Sequence, residues 1–285
     1  ILFSRNIISI NQTQKLINSI KKIFKNNNYP ILIDEEGGSV SRLRNFIDTS
    51  IFSSEYFGKL YKHDKKKFCL YYDVYIKQIT YLLKMLGINI NTVPNLDISR
   101  KVSNIIVGTR SFSSNRNHIS EIGNYCINKF HDNKIATVIK HIPGHGLSSV
   151  DSHKKLPIIT QKKKYLLKND FKVFKNKKSL MAMTGHLLFS KIDPLNTVTH
   201  SKKIIRIIRK EIGFKHLIIT DDLSMKALDK SIATRTKKSF VAGCDLALHC
   251  NGKLKEMIII AKNSPKVNKF ILKKTSQILR IISYN

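Results

Sequence analysis

Three histidines, a lysine and an aspartate fall between residues 140 and 153 of this 285-residue chain. The stretch reads Lys140-His141-Ile142-Pro143-Gly144-His145-Gly146, followed by Asp151-Ser152-His153. An imidazole titrates near neutrality, so it can both give and take a proton at pH 7. Asp151 sits two residues from His153, near enough for its carboxylate to orient that ring and raise its basicity. Other chemistry uses the same residue types. His141 and His145 have the spacing of zinc-binding helices, yet Pro143, Gly144 and Gly146 exclude a helix there and no third ligand stands in register. The glycines suggest a phosphate cradle, but the GxxxxGK[ST] pattern is absent. Taken alone, the long polar stretch from 144 to 156 is a glycine-hinged catalytic loop or a solvated loop with a chance histidine.

The elements that would position these residues are short. Apolar runs alternate with amphipathic ones, the pattern of parallel strands joined by crossover helices. Strands are predicted at 1–3, 29–34, 88–94, 135–141, 180–188, 216–221 and 245–249. Helical faces are predicted from Leu16, Ile17, Ile20 and Phe24, from Leu167, Phe171 and Phe174, and from Ile204, Ile205, Ile208 and Ile212. The last of these stops at Gly213, a C′ glycine. The expected fold is α/β, a (β/α)8 barrel forming a single catalytic domain over residues 1–285. Its first strand begins at residue 1, so a preceding strand and helix of roughly 25 residues are expected upstream; closure with seven strands is the alternative. Polar residues gather where the predicted strands end: Asp34-Glu35-Glu36-Gly37-Gly38, Lys140-His141, His186 and Asp221-Asp222. In a parallel barrel those ends share one face, and that face carries the site.

Composition narrows the classes. The chain is 42% hydrophobic and 25% charged, with no apolar run near the length of a membrane span. Four scattered cysteines without a CxxC pair read as reduced thiols rather than a disulfide framework. The formal charge of +32 invites a nucleic-acid or anionic partner. Its lysines, however, are spread as doublets and triplets along the whole length with no interleaved aromatic platform. That distribution favours compositional drift on solvated helix faces, and neither a nucleic acid nor a membrane is expected as partner.

Taken in order, Asp34-Glu35-Glu36-Gly37-Gly38, Gly108-Thr109-Arg110-Ser111-Phe112-Ser113, the 140–153 segment, Met183-Thr184-Gly185-His186, Thr220-Asp221-Asp222-Leu223-Ser224-Met225 and Ala242-Gly243-Cys244-Asp245 resemble glycoside hydrolase family 3. Within it they resemble the bacterial cytoplasmic β-N-acetylglucosaminidases of peptidoglycan recycling. The resemblance implies Asp221 as nucleophile, His153 as general acid/base and Asp151 as its orienting partner. It implies Asp34, Arg42, Arg110, Lys140 and His141 as sugar-binding residues, with His186 and Met225 lining the subsite. The chain departs from the family pattern at Ser39, where arginine is usual, and at Thr109, where aspartate is usual. Both changes bear on substrate affinity rather than on the reacting groups.

That resemblance implies a retaining hydrolase that removes terminal β-linked N-acetylglucosamine from muropeptides of the GlcNAc-1,6-anhydro-MurNAc type. Such an enzyme needs no metal or organic cofactor, and it is expected to be a cytoplasmic monomer. The competing readings are a same-fold enzyme with another sugar preference or a phosphorolytic reaction, and a basic binding protein without turnover.

Overall fold

The computed structural model describes residues 1–101, 107–152 and 154–283. Its frame is a mostly parallel sheet curled into a half-barrel and backed by helices. The strands are β1 (Leu32–Ile33), β2 (Ile90–Asn91), β3 (Ala136–Ile142), β5 (Met181–Thr184), β7 (Leu217–Asp222) and β8 (Leu246–Leu248), and they pair in chain order. Each neighbouring pair is parallel. Leu2 extends the row by one parallel bridge to Ile33, so all seven predicted strands have a place in it. A second pair, β4 (Ile158–Ile159) with β6 (Leu188–Phe189), stands apart and was not anticipated. It divides the predicted strand 180–188 in two.

The connecting helices are α1 (Ile10–Ile23), α2 (Ser54–His63), α3 (Lys65–Leu86), α4 (Arg116–Asp132), α5 (Lys163–Lys168), α6 (Lys202–Ile207), α7 (Ile232–Ala242), α8 (Leu254–Asn263) and α9 (Lys269–Ile282). Local chemistry sets their ends. The Ser9, Ser53, Asp64 and Asn268 side chains accept first-turn N–H groups of α1, α2, α3 and α9. Gly213 takes φ 82° where α6 ends through a π turn at Ile208–Ile212, the stop expected there. Phe24 departs from expectation: it lies just past α1 and is exposed.

Side chains alternate across each strand with period two, and this alternation builds both core and site. Ile139, Ala182 and Ile218 face outward into the large cluster shared with the helices. Val138, Met181, Met183, Leu217 and Ile219 face inward and pack with Ile271, Ile278 and Ile282 of α9. Continuing those inward rows by two residues toward the strand C-termini reaches Lys140 on β3 and Asp221 on β7. The apolar inner layer therefore gives way to a charged one at a single depth. Among the described residues, no helix is long and apolar enough to cross a membrane.

Candidate active site

At the C-terminal ends of the strands lies a cavity of about 130 Å³ lined by Asp34, Arg42, Arg110, Lys140, His141, Asp151 and Asp221. Seven of the eight residues singled out in the sequence thus surround one space. The eighth, His153, lies outside the described residues. His186 and Met225, expected to line the cavity, do not; both are buried behind it, and Met183 takes a lining position.

Lys140 is the hub of one half. Its ammonium is fully buried and contacts Asp34 Oδ1, Glu36 Oε1 at 2.5 Å and Thr92 Oγ1 at 3.0 Å. An ammonium has three donors, so Lys140 is fully committed to holding protein groups. Arg42 Nη2 donates to Asp34 Oδ2 at 3.0 Å, while Thr92 Oγ1 donates to Asp34 Oδ1 at 2.6 Å. Burial alone would raise the Asp34 carboxyl; Lys140 and Arg42 instead hold it well below the usual carboxylate range. Arg110 grips Glu36 in a two-pronged pair, Nε to Oε2 at 3.0 Å and Nη2 to Oε1 at 2.7 Å. Against the pull of burial, Arg110 and Lys140 keep Glu36 ionised. Glu35, by contrast, is raised by burial although Arg42 N, Leu43 N and Ser41 Oγ all donate to it.

Asp97 organises the other half, and sequence reasoning missed it. It is buried, and its Oδ2 lies 2.7 Å from His141 Nδ1 while its Oδ1 accepts the backbone N–H of His145 at 2.7 Å. Burial would raise Asp97, but the neighbouring His141 and His145 draw it down to about 2. An ionised carboxylate only accepts, so His141 carries a proton on Nδ1. His145 is itself buried, and desolvation followed by the nearby His141 lowers it to about 4. Close packing of this loop depends on glycine: a Cβ at Gly146 would meet Ile98 O at 2.4 Å, and one at Gly144, which has φ +135°, would meet Asp170 Cβ at 2.9 Å. The first half of the 144–156 stretch is therefore packed rather than solvated, with His145 and Ser148 buried.

The two adjacent acids on β7 differ in environment. Asp221 accepts the Asp222 N–H on Oδ1 at 2.7 Å and lines the cavity. Asp222 also borders it, but its carboxylate is tied to Ser224 N, Ser224 Oγ and Cys250 N at 2.9, 2.6 and 3.0 Å. Ser39 and Thr109, the two departures from the family pattern, line one separate open cleft beside Arg44. Among the described residues, no cluster of three or more histidines, cysteines or acids is placed to hold a metal ion.

Carboxylates paired with lysine and arginine side chains thus gather at the C-terminal face of a parallel α/β half-barrel, where a parallel barrel carries its site, and two carboxyl groups flanking one cavity are what glycoside hydrolysis uses. The chain belongs to glycosyl hydrolase family 3: the model of that family's N-terminal domain matches residues 1–281. It is 32% identical over 265 residues to a β-hexosaminidase of Haemophilus ducreyi, covering 88% of this chain and 73% of that protein. Among solved structures it resembles a family 3 β-N-acetylglucosaminidase from Paenibacillus, at 27% identity and TM-score 0.83 over 98% of this chain and 55% of that one. It also resembles NagZ from Neisseria gonorrhoeae in complex with N-trifluoroacetyl-D-glucosamine, at 25% identity and TM-score 0.83, covering 97% of this chain and 81% of that one.

Proposed function

We propose that the protein is a retaining β-N-acetylglucosaminidase acting on muropeptide fragments, with residues 1–285 serving as one catalytic domain. The observation that carries this reading is the convergence of Asp221 and Asp151 on one cavity with the Asp34–Arg42 pair. Asp221 attacks the anomeric carbon as the bond to the leaving oxygen breaks, giving a covalent glycosyl-enzyme. His153, oriented by Asp151, gives its proton to that oxygen, then takes one from the water that releases the sugar and frees Asp221. Asp34 accepts sugar hydroxyls while Arg42 donates to them. Lys140 acts by holding Asp34 and Glu36, and Arg110 by holding Glu36. No metal or organic cofactor enters these steps.

Charge in the cavity supports a neutral ring over a phosphate backbone. Asp34, Asp97, Asp151, Asp221 and Asp222 face it, against the cations Arg42, Arg110 and Lys140. The strong positive charge of the chain therefore lies elsewhere on its surface. Four free cysteines agree with a reducing, cytoplasmic setting.

Release of a chromophore from an aryl β-N-acetylglucosaminide, compared with the aryl β-glucoside, tests the reading. Turnover of the first in clear excess over the second is expected. Equal turnover of both, or none with salt-sensitive nucleic-acid binding, contradicts it.

A further inference from the structure

The segment 184–186 lies between the loop after β3 and the end of β7. A Cβ at Gly185 would lie 3.0 Å from His145 Cδ2 and 3.3 Å from His141 Cβ, so this residue lets the β3 loop close. Next to it, His186 is completely buried and reaches toward β7. Its Nε2 lies 3.0 Å from the backbone oxygen of Asp222, and its Nδ1 lies 2.8 Å from Thr199 Oγ1.

These contacts fix the ring's protons. A backbone carbonyl only accepts, so Nε2 carries the hydrogen. In the neutral ring Nδ1 then has a lone pair, which accepts the Thr199 hydroxyl proton. Thr199 Oγ1 in turn accepts from Thr184 Oγ1, 2.9 Å away. Burial lowers the imidazole below its ordinary value, which agrees with a neutral ring. The charged and titratable groups around it are Asp221, Asp222, Arg235 and His200. The donor chain therefore runs one way: Thr184 to Thr199 to His186 to the Asp222 carbonyl.

Every polar group of Asp222 is thereby held. Its carbonyl also accepts from Met225 N at 3.1 Å, its carboxylate is tied to Ser224 and Cys250, and its own N–H donates to Asp221 Oδ1. We infer that His186 is a positioning residue for the nucleophile: it locks Asp222 so that the Asp222 N–H aims the Asp221 carboxylate into the cavity. This rests on the reading of Asp221 as nucleophile. His186 touches no substrate. Its effect falls on the aim of the attacking oxygen, hence on kcat more than on KM.

The test uses the whole chain and the aryl β-N-acetylglucosaminide, with thermal melting to confirm folding. His186→Leu keeps the volume but deletes the donor, and loss of one such hydrogen bond is expected to lower kcat about 10–100-fold with KM within about 3-fold. His186→Gln restores a donor near Nε2 and should recover most of the loss. Thr199→Val leaves His186 in place but removes its orienting hydroxyl, and should show a smaller loss in the same direction. Equal impairment of the Leu and Gln variants, or a loss confined to KM, overturns the proposal. Should His186→Leu fail to fold, wild-type kcat in Thr199→Val overturns it, and reduced kcat with a preserved Gln variant supports it. Asp221→Ala run alongside separates the two ideas, since wild-type turnover there would remove the nucleophile reading itself.

Discussion

The carboxylate of Asp221 accepts the backbone N–H of its neighbour Asp222 at 2.7 Å. Two consecutive acids at a strand end both border the cavity but differ in work, since the Asp222 carboxylate is tied to Ser224 and Cys250 and so braces the turn. Asp221→Ala should abolish nearly all turnover while leaving the fold intact. Asp222→Ala should cost about 1–3 kcal/mol of stability, because it leaves Ser224 N and Cys250 N without their acceptor. Its activity should fall much less. Turnover assays paired with denaturant melts check both, and a more damaged Asp222 variant would reverse the assignment.

Asp97 gives a pH prediction. Its carboxyl is held at about 2, below its ordinary 3.8, by His141 and His145 against the opposing pull of burial. A depressed acid stabilises the folded state above its unfolded value and loses that contribution as pH falls through the folded one. The difference corresponds to about 2 kcal/mol, present at pH 7 and lost between pH 4 and 2. Asparagine removes the charge while its Oδ1 can still accept the His145 N–H, its NH₂ then meeting His141 Nδ1 as an acceptor in the other ring tautomer. Urea unfolding of wild type and Asp97→Asn should show a gap at pH 7 that closes toward pH 2. A gap independent of pH would contradict this.

Lys140→Met leaves Asp34 and Glu36 buried without the cation they share. Breaking a buried pair in this way should cost about 3–5 kcal/mol and remove activity. A variant that melts like wild type would show that Lys140 is a substrate contact instead of a structural clamp.

How far the sequence disclosed this site depends on which signal each residue carries. Asp34, Lys140 and Asp221 each close an apolar run, so period-two alternation places them on the inner face before any contact is known. Asp97 has no such mark. It lies on the loop after β2, and only the fold brings it to His141. The resemblance implies His186 at the cavity wall, inside the predicted strand 180–188; the chain instead leaves β5 at Thr184 before β6 begins at Leu188, and the ring lies buried against the Asp222 carbonyl. That pair was hidden because its strands are two residues long, too short for periodicity to register. The resemblance implies Lys140 at the sugar subsite, where it does line the cavity; its contacts with Asp34, Glu36 and Thr92 come from three separate elements meeting, which no local pattern marks.

Removing His153 should affect substrates according to their leaving groups. A poor leaving group, such as a second sugar, needs its oxygen protonated as it departs, and the variant should lose about 10²–10⁴-fold there. An activated aryl leaving group is stable as an anion, so its release should barely change. His153→Ala equally impaired on both would assign the proton to another group.

The central claim is that Asp221 forms a covalent bond to the sugar. A 5-fluoro analogue of N-acetylglucosamine with a good leaving group destabilises both oxocarbenium-like transition states, while the leaving group keeps the first step fast, so the intermediate accumulates. Proteolysis and mass spectrometry of the inactivated protein should then find the sugar attached to Asp221. Attachment to Asp222, or inactivation with no labelled carboxylate, would contradict the account.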